Sequence, residues 1–394
     1  MKPAWVAADR ADEVRRAARG WHEGGLIDDD ALAAVTAEHP APGPRLGAAW
    51  RVLVFICVAV GCYAATFFGF ITFGVREAGA VGTILLAAGA ALALLTDVVL
   101  DRCSFRPTGA EAATSLLAVS FLAAAAFVLN DHFHLRGAPA TGIAFAWTAT
   151  VSALAAWRWG FRLYAAAAAV AILVAAAQLP HPRLAWVTVA AGLALGAHAA
   201  LRRREFAPSH RDGVALVRIV ALAAVYVALN YYSTDKGLIE ELGRAAGAPH
   251  RRAGEIARWL AAAGSALYPL WLLAWGVRRK DRGVIALGIV AAALSLATVR
   301  FYVHVAPLWV VLAAGGAALA GGSLLIERWL RAGKDGERAG FTAAPLYDEG
   351  RRERLLPVAA ALALAPGARS LPDEPRGIEG KGGTFGGGGA GGAF

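Results

Sequence analysis

The sequence predicts an all-α fold: a polytopic transmembrane helix bundle of about ten helices, with a short N-terminal cytoplasmic helical hairpin and a disordered Gly-rich C-terminal tail. Three observations carry this expectation. Of the 394 residues, 58% are hydrophobic and only 17% charged, whereas soluble domains run at about half apolar and about a quarter charged. The apolar residues fall in blocks of the length a helix needs, about 20 residues at a rise of 1.5 Å, to cross roughly 30 Å of hydrocarbon. Basic residues alternate in density from one inter-block loop to the next.

The blocks lie near 52–73, 80–99, 111–129, 139–157, 163–179, 184–201, 213–232, 256–277, 283–299 and 305–326. In hydrocarbon a single spanning segment must satisfy its own backbone amides, so each block is predicted as a helix in spite of its Val and Ile. This divides the chain into a hairpin (1–48), a transmembrane domain (49–326) and a cytoplasmic tail (327–394), disordered from 377.

Orientation follows from the loops, because Lys and Arg resist translocation. With the N-terminus inside, segments 1–51, 100–110, 158–162, 202–212, 278–282 and 327–394 carry 7, 2, 2, 4, 4 and 10 basic residues. Those 29 face 8 on the opposite side, with Arg218 and Arg258 inside spans. Both termini are therefore expected in the cytoplasm of a bacterial inner membrane. The lipid bilayer is the expected partner, and the net charge of +10 is read as loops anchored against an anionic leaflet, with no nucleic acid. No secretory signal peptide is visible, and the first span reads as a retained anchor.

Cys57, Cys62 and Cys103 show no CxxC or Cys/His spacing, so they are read as packing residues. In the hairpin, residues 9–21 have helical propensity with Val14, Ala17, Ala18 and Trp21 on one face, and Gly24-Gly25 breaks the helix. Asp28 to Asp30 then cap a second helix that Pro40, Pro42 and Pro44 end. Two short helices bury little alone, so the pair is expected to pack on the bundle or on a protein partner.

The stretch Trp21-His22-Glu23-Gly24-Gly25-Leu26-Ile27-Asp28 stands directly upstream of many apolar blocks. It resembles domain of unknown function 2157, a group of bacterial polytopic membrane proteins. The resemblance covers about 25 residues plus the general layout. It implies a membrane protein with a hairpin in front, and neither an activity nor catalytic residues.

In the tail, the apolar run Leu355–Ala365 is too short to span and reads either as an interfacial helix or as one packed on the cytoplasmic face. The terminal polyglycine with Phe385 and Phe394 cannot build a core. The tail, like the hairpin, is a candidate protein-binding element.

Ionisable groups inside a membrane mark candidate sites. Asp97, His198 and Arg218 all lie toward the cytoplasmic ends of their spans, where they would suit a proton relay or an anion site. The competing account is that each snorkels to the interface separately. On the opposite side, Asp131, His132 and His134 form a weak candidate metal cluster, set against solvated interfacial histidines. Asn230, Arg300, Tyr302 and His304 form a candidate outer vestibule, set against an ordinary aromatic belt. No metal or cofactor is assigned.

No hydrolase, zinc-protease, nucleotide-loop, dinucleotide-binding or kinase motif is present. Gly192 and Gly196 form a GxxxG, Gly315-Gly316 and Gly321-Gly322 line the tenth block, and Pro269 predicts a kink. The expected function is a non-enzymatic structural or regulatory membrane component. The alternatives are a transporter or channel for a small solute or ion, and a membrane enzyme or metal-binding protein.

Overall fold

The computed structural model describes residues 1–40, 47–72, 74–75, 77–103, 108–202, 206–244, 254–303, 308–333, 337–338 and 341–342. The run 355–365, the polyglycine end and His304 lie outside them. The chain forms two compact units, Met1–Val305 and Ala306–Phe394.

In the first unit the front hairpin is α1 (Pro3–Glu23) and α2 (Asp29–Glu38). Pro3 opens α1, where a missing N–H leaves no bond unmade. Gly25 turns the chain at φ 68°, and the Ala31 N–H donates to Asp28 Oδ1 at 2.8 Å to start α2. The long helices follow: α3 (Ala48–Thr72), α4 (Ala78–Arg102), α5 (Ala110–His132), α6 (Gly137–Trp159), α7 (Arg162–Ala177), α8 (Pro182–Leu201) and α9 (Pro208–Leu229). After two short helices, α10 (Tyr231–Lys236) and α11 (Leu238–Arg244), come α12 (Glu255–Arg279) and α13 (Arg282–Val303).

Among the described residues, α3, α4, α5, α6, α8, α9, α12 and α13 are each long and apolar enough to cross a membrane. The chain is a multi-pass integral membrane protein. In α3 the most apolar stretch has a mean hydropathy of 2.3 and none of it is buried against protein; in water such a face would aggregate, and in lipid it is solvated. Helix α7 has only 16 residues, about 24 Å at 1.5 Å each, shorter than the roughly 30 Å of a bilayer core. Its C-terminal end is completed by protein, since Gln178 Nε2 donates to the Leu242 carbonyl in α11 at 3.0 Å.

Antiparallel pairs form the unit: α4 with α5, α6 with α7, α8 with α9, and α12 with α13, while α3 packs on α5. Helix α9 touches α7, α8, α12 and α13 and so stands at the junction of the last three pairs. Three apolar clusters follow this order. The first joins Trp5, Leu100, Phe121, Val151, Trp159 and Tyr164, the second Leu173, Trp186, Ala190, Ala224, Ala228 and Ile239, and the third Leu222, Tyr226, Leu272, Val284 and Ala291.

Small residues set the helix spacing. A Cβ at Gly89 would stand 2.7 Å from Leu122 Cγ, and one at Gly288 2.9 Å from Leu273 Cγ, so α4/α5 and α12/α13 close on glycine. Gly109 has φ 97°, and a Cβ there would run into the Arg51 carbonyl, which lets α5 start against α3. The GxxxG of α8 is different: nothing described approaches a Cβ at Gly192 or Gly196 within 4 Å. Helix α12 continues through Pro269.

The helix ends sort into two faces. On one, α1 bridges the end of α4, the end of α6 and the start of α9. On the other lie the α5–α6 connection and α10–α11, where Asn130 Nδ2 donates to the Ala140 carbonyl at 2.6 Å.

The second unit contains α14 (Leu308–Arg331), which occupies the tenth predicted block. Beside it β1 (Glu337–Arg338) pairs antiparallel with β2 (Phe341–Thr342), and the Arg338 guanidinium lies 5.0 Å from the Trp329 ring centre.

Candidate functional site

The docking of α1 sets the character of the first face. Lys2 Nζ donates to Asp101 Oδ2 at 2.5 Å and Trp5 Nε1 to Asp101 Oδ1 at 3.0 Å, tying α1 to the end of α4. Asp9 accepts the Ser209 N–H at 2.8 Å at the start of α9. The buried stripe of α1 is Trp5, Asp9, Arg15 and Ala18, while Val14 and Trp21 are 38% and 52% exposed. Of the expected apolar face Ala18 is buried, whereas Val14 and Trp21 point away from the docked side. The physical reason is the partner: helix ends offer carboxylates and unpaired backbone groups, so the face that meets them carries donors and acceptors.

Asp97 belongs to this region. Its Oδ2 accepts from Arg158 Nη2 at 2.5 Å and Nε at 3.2 Å, and its Oδ1 accepts from Trp159 Nε1 at 2.9 Å. The Arg158 guanidinium also lies 5.3 Å from the Trp5 ring centre, a cation–π contact that links the pair to α1.

His198 and Arg218 come together elsewhere. They line a cavity of about 210 Å³ between α8, α9, α12 and α13, with Arg202, Trp275, Arg279 and Asp281. Arg218 Nη2 donates to Asp281 Oδ2. The other oxygen of Asp281 accepts the N–H groups of Gly283 and Val284 at 3.1 and 3.2 Å, capping α13. His198 and Trp275 rings lie 5.7 Å apart, and the Arg218 guanidinium 5.9 Å from the Trp275 ring. Among the described residues two buried nitrogens here, His198 Nδ1 and Arg218 Nε, have no hydrogen-bond partner, and an unmet buried polar group costs about 1–3 kcal/mol. Arg202 and Arg279 are exposed at the rim.

The trio is thus split: Asp97 pairs with Arg158, and Arg218 with Asp281, beside His198. The sequence reading counted Arg202 and Arg279 only among the basic loop residues and passed over Asp281, which is acidic, in the same loop as Arg279. The available signal was Arg218 itself, since a cation inside a span calls for a carboxylate at the same depth, and Asp281 heads the neighbouring span.

Beyond the cavity the helices close. Leu222, Tyr226, Leu272 and Ala291 pack together, and past them Tyr226 Oη meets Ser295 Oγ at 2.9 Å while Asn230 Nδ2 donates to Tyr226 Oη at 2.9 Å and Thr298 Oγ1 at 3.2 Å. Asn230 is therefore committed to this buried network and to capping α10 through the Ser233 N–H at 3.2 Å. Tyr302 donates to Asp235 Oδ2 at 2.6 Å. Arg300 lies in the last turn of α13.

The opposite face also carries Arg183, which donates to both oxygens of Glu240 at 2.9 and 3.2 Å, to the carbonyls of Ala228 and Ser233, and to the Thr234 hydroxyl. This fork holds α10–α11 over α8 and α9. His132 packs its ring against Gly79 and, at 5.1 Å, Phe133, and His134 sits at φ 55° in the turn after α5. Among the described residues no group of three His, Cys, Asp or Glu is placed to hold a metal ion.

Fold and faces define a multi-pass membrane protein with a polar docking face and a small basic cavity. No family model matches the chain, and no curated protein is similar to it in sequence.

Proposed function

We propose that this chain is a non-enzymatic structural or regulatory component of a bacterial inner membrane, with both ends in the cytoplasm and its N-terminal hairpin offered to a protein partner. The observation that carries the reading is the seating of α1, which is fixed to α4 and α9 through Asp101 and Asp9. A hairpin held this way transmits a partner's position to the membrane helices. Its outer surface keeps Trp21 and Leu26 exposed, at 52% and 75%, and α2 buries no residue. The resemblance of residues 21–28 to domain of unknown function 2157 is consistent with such a front domain.

The packed interior supports this reading over a transporter, which needs a route between the faces; Leu222, Tyr226, Leu272 and Ala291 fill the line leading from the cavity. The test is complementation. In cells lacking the chain, the full sequence is expected to restore the wild-type state, and a version without residues 1–45, inserted at equal level, is expected to fail. Full rescue by the truncated chain would overturn the proposal. Solute flux in proteoliposomes holding the purified chain would favour the transporter instead.

A further inference from the structure

We propose that the cavity between α8, α9, α12 and α13 is a binding site for a phosphate-type oxyanion, supplied either as a free ion or as the headgroup of an anionic lipid. The inference stands apart from the scaffold reading, because it rests on one cavity and not on the hairpin.

Charge is the first argument. Three arginines, Arg202, Arg218 and Arg279, line the space with a single carboxylate, Asp281. That carboxylate is already engaged, one oxygen by Arg218 and the other by two backbone N–H groups of α13. Elsewhere in the first unit two other arginines of the bundle each hold a carboxylate: Arg158 has Asp97 and Arg183 has Glu240. Among the described residues neither Arg202 nor Arg279 has a carboxylate partner.

Unpartnered buried nitrogens are the second argument. Among the described residues Arg218 Nε and His198 Nδ1 are buried without partners, and both residues line the cavity. An anion entering between them and the rim arginines accepts from the guanidinium groups, and arginine forks match phosphate oxygens in planar geometry. Trp275 holds the Arg218 and His198 side chains by ring contacts at 5.9 and 5.7 Å, so both side chains are oriented before the ligand arrives.

Size is the third. At about 210 Å³ the space is small beside the roughly 300–1,000 Å³ of sites for drug-sized ligands and is large enough for a phosphate group. The cavity lies at the helix ends that share a face with α1, the level of one leaflet's headgroups.

The experiment uses the full chain and the exposed-rim variant R202Q/R279Q, which leaves the Arg218–Asp281 pair and the core untouched. Inorganic phosphate is titrated into delipidated protein in neutral detergent by calorimetry, and thermal unfolding is compared in nanodiscs of phosphatidylcholine with and without phosphatidic acid. Saturable phosphate binding that weakens about ten-fold or more in the variant, as expected for two lost charge-assisted contacts, supports the proposal with a free ion as ligand. No phosphate binding, but a rise in Tm with phosphatidic acid that the variant loses, supports it with the headgroup as ligand. Wild type and variant responding equally to both probes, or neither responding, overturns it.

Discussion

Asp97 accepts three hydrogen bonds, two from Arg158 and one from Trp159, so replacing it with Asn isolates the guanidinium at almost constant volume. Arg158 is 40% exposed, and water screens part of the lost interaction. D97N is therefore expected to destabilise the folded chain by about 1–2 kcal/mol, measured as thermal unfolding in nanodiscs. The double variant D97N/R158Q should lose less than the sum of the two single changes, because the partners share one interaction; strict additivity would refute the coupling. Arg183 offers the sharper case, since it and Glu240 are each only 21% exposed and it also serves two carbonyls and a hydroxyl. R183M should lose more than D97N, about 2–4 kcal/mol, and should raise amide exchange selectively across residues 231–244. Uniform exchange across the chain would show that the fork is not what holds α10–α11.

At the scale of elements, glycine position separates contact from coincidence. Gly288 and Gly192 both sit in apolar helices, yet only Gly288 has a neighbour where its side chain would go. G288L is expected to destabilise by about 1–3 kcal/mol, the range for overpacking, while G192L should fall within about 0.5 kcal/mol of wild type. An equal loss at both positions would mean that Gly192 has a packing role. For α1, W5A/D101A removes the buried ring and the carboxylate that holds Lys2, so trypsin should cut at Arg10 and Arg16 faster while the membrane helices stay intact. Unchanged cleavage would show that Asp9 and the apolar contacts hold α1 without them. The positions of the long helices were legible because block length is fixed by bilayer thickness. The face of α1 was not, because a helix that docks on helix ends follows hydrogen-bond partners and not apolar periodicity. The same limit explains the split trio: hydropathy gives the depth of Asp97, His198 and Arg218, but the angle around the bundle is set by which helices pair, and α4 and α9 do not.

For the whole molecule, the loops expected to share a side do share one in the first unit, since Met1 N–H donates to the Trp157 carbonyl at 3.1 Å, Lys2 meets Asp101, Asp9 meets Ser209, and Arg202 and Arg279 line one cavity. Contacts alone leave the two faces interchangeable with respect to the compartments. The proposed cytoplasmic assignment rests on charge alone, 29 basic residues against 8, a bias that acts while loops are being translocated. Two exposed positions report on it, Arg211 at the start of α9 and Arg136 between α5 and α6. In a chain whose Cys57, Cys62 and Cys103 are replaced by Ala, R136C should react with a membrane-impermeant maleimide in intact cells, and R211C only after the membrane is permeabilised. Each substitution removes one basic residue from its side, which leaves the asymmetry large and the orientation unchanged. The reverse labelling pattern would invert the protein, moving α1 and the basic cavity to the outer face and with them the hairpin's access to any cytoplasmic partner.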